Sequence, residues 1–230
     1  VMPHIIAPYF NISGVISSSG IALSWFRSRF LPQEDFEMIY SRVASTKPGA
    51  EGLVFLPYLA GERSPHWDPN ARAVFLGLGL HHDLNMMARA VLEGTAFAIR
   101  EVLDVMESSG ASVKDMRATG TPSLSPVWNQ IKADITRKRL MVSFFPEPEL
   151  AGCLAIGRFA LGEESSLTEA AERVFMPAEI FEPRKDTESM YCDLYEVYLD
   201  SYRRLADLFP AISVLQKNAS VQRGPFGRGF

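Results

Sequence analysis

From Asp83 onward the chain carries its longest periodic segment, and that segment limits what the remainder can build. Leu84, Met87, Ala88, Val91, Leu92, Thr95, Ala98, Ile99, Val102, Leu103 and Met106 recur at helical spacing, while Arg89, Arg100, Glu101 and Asp104 fall off the stripe. Ser108 to Gly110 ends the pattern. Short apolar runs of strand length flank it: Glu51–Pro57 and Ala73–Leu80 before, Met116–Thr119 and Leu140–Phe145 after. Helices are expected over Ile21–Phe30, Glu34–Ala44, Ser125–Thr136 and Leu150–Leu161, and a β segment over Ile12–Ser18. Pro32 stops the first helix, and Lys47-Pro48-Gly49 is turn chemistry. Ser166 and Glu169 stand in capping-box register at the start of a further helix. A last helix places Tyr191, Leu194, Tyr195, Tyr198, Tyr202 and Leu205 on one face, where packing explains them better than ligand stacking. Strands alternating with helices predict an α/β domain, a sheet flanked by helices. Periodicity fades after Pro210, so residues 211–230 are expected to form a tail, disordered or a short arm from 216 onward.

A chain of 230 residues can bury a core without metals or disulfides. The formal net charge of −4 argues against a nucleic-acid partner. Cys153 and Cys192 form no CxxC pair, and thiol usage fits a reducing cytosol, so a cytoplasmic location is expected. The apolar run after Leu150 is broken by Arg158, too short to span a bilayer. The chain opens at Val1 without Met, which reads as a fragment, a processed product or a missing start.

Two junctions between a strand and a helix carry glycine. One is Ser17-Ser18-Ser19-Gly20-Ile21, the other Gly120-Thr121-Pro122-Ser123-Leu124-Ser125. Free amides at a helix N-terminus, together with its dipole, suit a phosphate, and glycine lets a ligand come close to the backbone. Most such turns merely reverse the chain, and no GxxxxGK[ST] is present, which excludes a P-loop. The loop from Gly61 to Pro69 reads either as a binding loop or as a rigid surface loop in which Arg63 and Asp68 tie down backbone groups, the structural role being favoured. His81 and His82 are adjacent, so in extended chain their rings point apart and cannot share a metal.

Taken together, several segments resemble the C-terminal domain of FGGY carbohydrate kinases. Gly61-Glu62-Arg63-Ser64-Pro65 through Asp68-Pro69-Asn70-Ala71-Arg72 is similar to the family's GERxP…DPxAR loop. Gly77-Leu78 with Ala90-Val91-Leu92-Glu93-Gly94 resembles its second signature, with Met86 where a polar residue is usual. Gly20 to Trp25, Gly120 to Asp134, and Glu149-Leu150-Ala151-Gly152 with Ala160-Leu161-Gly162 resemble further motifs, in the family's order. The resemblance covers about residues 10 to 208, and residues 1–210 are expected to be the domain.

The resemblance implies a ribonuclease H-like fold of the actin, hexokinase and Hsp70 ATPase type, with ATP and Mg2+ in a cleft between two domains. It implies transfer of the γ-phosphate of ATP to a sugar or polyol, xylulose being the default and erythritol, gluconate and ribulose remaining open. Carried over by motif, Gly20 and Ser24 would stand near the phosphates. Gly120, Thr121, Pro122 and Ser123 would border the adenosine, with Ser125 and Pro126 nearby. Pro122 departs from the family's GGGA loop and has no N–H to donate, and Ala155-Ile156-Gly157 replaces the usual GAA. The catalytic aspartate and the sugar-holding N-terminal domain are expected upstream of this chain, so the chain alone should not turn over. That missing domain and a sugar or polyol are the expected partners, a homodimer is left open, and neither nucleic acid nor membrane is expected. The alternatives are a noncatalytic kinase-like domain acting in assembly or weak nucleotide binding, and a plain α/β interaction domain.

Overall fold

The computed structural model describes residues 1–144 and 147–222. Its centre is the helix α3, Leu84–Ser108, started by Asp83, whose carboxylate accepts from the amides of Asn85 and Met86. Residues 88–98 are all buried, so α3 is enclosed on every side rather than along one stripe. The strand β3 (Val54–Leu56) packs on it, paired antiparallel with β4 (Val74–Leu76). Around it also lie α1 (Gly20–Phe30), α2 (Phe36–Ser45), α4 (Pro126–Thr136) and α7 (Glu188–Leu205).

This enclosure overturns the polar side expected for α3. Arg89 and Glu93 are 3% and 1% exposed and lie 2.7 Å apart. Glu93 Oε1 also accepts from Gly49 N and from the Tyr191 hydroxyl, while Arg89 donates to the carbonyls of Val43 and Thr46. One buried pair thereby fastens α2, α3 and α7. Burial pushes the Glu93 carboxyl up, and the Arg89 guanidinium beside it pulls the other way. Glu101 is also buried, against His66 Nε2 at 3.1 Å. The tyrosines of α7 pack as expected, and each hydroxyl finds a partner, Tyr198 on Tyr58 at 2.7 Å and Tyr195 on Asp104 at 2.7 Å.

On the far side of α4 lies a second sheet, in which β6 (Arg139–Ser143) pairs parallel with β5 (Asp115–Ala118) and antiparallel with β7 (Pro177–Phe181). The layers are α/β, but the strands are divided over small separate sheets because α3 and α4 stand between them. Strand β7 escaped the sequence reading: it opens with Pro177, and most of its residues are exposed, so no alternation marks it. Beyond β6, Phe145 lies outside the described residues. The helices α5 (Pro148–Ala160) and α6 (Leu167–Val174) pack together beside this sheet. Ser166 caps α6 through Glu169 N, but the Glu169 carboxylate accepts from Ser165, one residue beyond the N-cap amide that a capping box would use.

Two expectations change. Ile12–Ser18 forms no strand; instead β1 (Met2–Pro3) pairs with β2 (Phe10–Asn11), and Val15 spends its backbone groups on Ser64. The segment expected as a tail from residue 211 is helical through Gln222, within α8 (Phe209–Gln222). Phe209 and Ser213 are each 1% exposed, and Arg72 bonds both Ser213 and Gln216, so burial orders a segment whose periodicity is weak. Residues 223–230 lie outside the described residues.

Gly94 faces the carbonyl of Phe55 so closely that a Cβ there would lie 2.2 Å from the oxygen. Backbone on both sides leaves no room to yield. Gly94→Ala should therefore cost about 1–3 kcal/mol, read as a lowered thermal midpoint. Glu93→Ala should cost more, about 3–5 kcal/mol, because it strands a buried guanidinium; denaturant melts of both variants compare the two.

Candidate functional site

The turn before α1 is held from behind by the Gly61–Pro69 loop. Ser17 N and Arg63 N both donate to Glu62 Oε1, each at 2.7 Å, and Glu62 is 4% exposed. Burial pushes the Glu62 carboxyl up against these bonds. Glu62 is thus the anchor, where Arg63 was expected; the Arg63 side chain is exposed and bonds no described residue. Asp68 fills its expected part, since its carbonyl accepts from Glu62 N and its carboxylate from Asn70 N. Two buried oxygens near this anchor, Ser18 Oγ and Glu62 Oε2, have no partner among the described residues.

Ser19 stands at the N-cap of α1 without a side-chain capping bond, and no acidic residue occupies the first turn. Among the described residues nothing accepts from the amides of Gly20 and Ile21. This helix therefore presents bare donors and the positive end of its dipole. Ser24 Oγ lies one turn on and donates to Gly20 O at 3.1 Å.

The second turn is shaped from beneath by α4. Gly120 has φ 75° and ψ 176°, a region that side chains exclude. Ser123 folds the chain back by donating N–H and Oγ to Gly120 O at 2.9 and 2.7 Å. Asn129 Nδ2 holds Ser123 O at 2.7 Å, and Lys132 Nζ reaches Pro122 O at 3.3 Å and Asn129 Oδ1 at 3.2 Å. Ser125 caps α4 through Trp128 N, so this helix start is already satisfied. Lys132 is 7% exposed, and burial lowers its pKa to about 8. Asn129 and Lys132 were not singled out in the sequence; the legible signal was two polar residues on the buried face of a helix.

The two turns meet. A Cβ on Gly20 would lie 3.2 Å from Pro122 Cγ. Around this contact opens a cavity of about 480 Å³, lined among others by Gly20, Ser24, Tyr40, Pro122 and Trp128. A second, of about 260 Å³, continues past Thr119, Gly120 and Thr121 to Glu147 and Glu149, sharing Thr121 and Leu124 with the first. Of the residues expected at the site, Gly20, Ser24, Gly120, Thr121 and Pro122 line this groove. Ser123 is buried inside the turn, while Ser125 and Pro126 line a smaller neighbouring cavity of about 280 Å³ toward α2. The charged side chains lining the two groove cavities are acidic: Glu37, Glu147 and Glu149.

A third hollow, of about 210 Å³ and mostly apolar, lies between the end of β5 and α5, where Thr119, Gly152 and Ala155 face each other. Arg117 caps it by lying 3.9 Å above the Phe175 ring. The other aspartates of the matched motifs are engaged elsewhere: Asp83 caps α3, Asp115 pairs with Arg139, and Asp134 with Arg184. His81 and His82 sit in a turn, so their rings lie 4.0 Å apart instead of pointing to opposite sides.

Comparison with known proteins matches this architecture. A family model described as the FGGY family of carbohydrate kinases, C-terminal domain, matches residues 2–161. The chain is 31% identical over 209 residues to a xylulose kinase of Bacillus subtilis, covering 91% of this chain and 42% of that protein. It is 29% identical over 226 residues to a gluconokinase of Bacillus licheniformis, covering 94% and 44%. The solved xylulose kinase from Lactobacillus acidophilus superposes with a TM-score of 0.79 at 26% identity, over 86% of this chain and 40% of that one. The chain thus spans less than half the length of these relatives, and its fold is the ribonuclease H-like one they share. On these matches and on the order of its motifs, the chain belongs to the FGGY family of carbohydrate kinases, as its C-terminal domain.

Proposed function

We propose that this chain is the nucleotide-binding half of a kinase that transfers the γ-phosphate of ATP to a hydroxyl of a sugar or polyol. The observation that carries the reading is the meeting of the Gly20 and Gly120 turns on one groove, so close that a Cβ on Gly20 would lie 3.2 Å from Pro122 Cγ. The uncapped amides of Gly20 and Ile21 would receive the phosphates, with Ser24 beside them. The Gly120–Ser123 turn would border the nucleoside, and the apolar hollow between Thr119 and Ala155 is of a kind that takes a base. Glu147 and Glu149, at the same end, can accept from ribose hydroxyls.

Donors of this kind fit a triphosphate. Among the described residues no group of three or more metal-ligating side chains occurs, so Mg2+ would be held chiefly by the phosphates, as is usual for this ion. Bound there, it would neutralise phosphate charge that the acidic lining cannot. Phosphoryl transfer depends on such positioning and charge stabilisation, together with a base for the attacking hydroxyl. That base, an aspartate, and the sugar site would come from an N-terminal domain, the partner that the length of the relatives supports. Xylulose is the first substrate to try and gluconate the second, after the relatives' names. Among the described residues no helix is long and apolar enough to cross a membrane, and a cytoplasmic location is proposed with the kinase reading.

Calorimetry with ATP and Mg2+ tests the reading. The chain should bind, and Gly120→Arg, which forces a side chain into a glycine-only conformation in the groove, should abolish the heat. With an N-terminal half supplied, phosphate should pass to xylulose in a coupled assay. Absence of nucleotide binding even in that complex would favour the noncatalytic alternative, in which Pro122, lacking an N–H, has closed the turn.

A further inference from the structure

Lys132 is out of place by the rules that shape α4. Its neighbours on the same buried face, Trp128, Ile131 and Ile135, are core residues, and an apolar side chain would follow the pattern. A lysine there carries a desolvation penalty with no carboxylate to offset it. What faces the ammonium instead is the Pro122 carbonyl at 3.3 Å, Asn129 Oδ1 at 3.2 Å and the Trp128 ring at 4.7 Å. Pro122 is the residue that touches the Gly20 turn across the groove.

We propose that Lys132 is a positioning residue for the nucleotide: from inside the domain, its ammonium holds the Gly120–Ser125 turn in register with the Gly20 amides. The inference rests on the nucleotide reading above. It assigns to Lys132 what the loop cannot supply by itself, since Pro122 has no N–H and its carbonyl would otherwise be free to swing. It also gives the groove, whose own charged lining is acidic, a cation beneath its floor.

Titratable groups on the elements around α4 are engaged elsewhere. Glu93 of α3 is held by Arg89 and by Tyr191 of α7, Asp134 of α4 by Arg184, and Arg139 of β6 by Asp115. Glu179 of β7 is exposed, and Glu37 and Tyr40 of α2 line the groove. Burial alone lowers the Lys132 pKa from 10.5 to about 8. Between those two values the folded chain binds fewer protons than the unfolded one, so stability contributed at this site rises with pH. Nucleotide affinity should move the opposite way, falling as the ammonium loses its proton above about pH 8.

Calorimetric titration with ATP and Mg2+ from pH 6.5 to 9.5 on wild type, Lys132→Met and Lys132→Arg, with thermal melts of each, tests this. Wild-type affinity should fall several-fold across the range. Lys132→Met should bind about tenfold more weakly at pH 7, with a flat pH profile, while melting no lower than wild type because a buried charge has gone. Lys132→Arg, charged throughout, should keep more affinity than Lys132→Met and show no fall. Equal affinity and an unchanged pH profile in Lys132→Met would overturn the inference while leaving the nucleotide reading intact. A wild type that binds no nucleotide at any pH, even with the N-terminal half, would remove both.

Discussion

The close approach of α3 to β3 is the constraint on which the rest of this domain depends. A helix can come within contact of a strand's carbonyl row only where it has no side chain, and Gly94 supplies that gap opposite Phe55. Once α3 is seated there, its neighbours enclose it, and positions that would face water on a peripheral helix are buried. Arg89 and Glu93 follow from this: a charged pair is tolerated in the interior because each partner finds further hydrogen bonds, to Gly49, Tyr191, Val43 and Thr46. The pair adds little net energy by itself, but breaking it is costly, so it fixes how α2 and α7 sit on α3.

With α3 fixed, the two glycine turns are delivered to one groove by different devices. The Gly20 turn is held by a loop distant in sequence, through Glu62, and is left with bare amides. The Gly120 turn is held by its own following helix, through Asn129 and Lys132, and its helix start is capped internally by Ser125. The chemical difference is direct. One turn offers donors to an anion, while the other offers shape and a surface. The charged lining of the groove is acidic, so what it can offer an anion comes from backbone amides and, under the proposal for Lys132, from a buried cation.

Family and layer order were legible before any coordinates. The alternation of strands and helices, the start of α3 at Asp83, the end of α1 before Pro32 and the order of the glycine motifs are local signals, each set by a few neighbouring residues. The resemblance of the motifs to the FGGY family agrees with the family match over residues 2–161. Local signals failed where tertiary burial decided the outcome. Arg89 and Glu101 look like surface charges on a helical wheel, and α8 looks like a tail, because a wheel cannot register a second layer of structure covering the polar side.

The sequence by itself determined most of the helices, α8 excepted, where glycine must stand, and which family the chain belongs to, because propensity, capping and motif order act over short spans. Only the tertiary structure decided that Gly20 and Pro122 touch, that Glu62 rather than Arg63 anchors the first turn, and that Ser123 is consumed inside the second. It alone turned Lys132 from one charge on a helix into a buried cation under a groove. Contacts between residues far apart in sequence, such as Glu62 with Ser17 and Gly20 with Pro122, leave no local imprint, and it is they that bring the two turns to one groove.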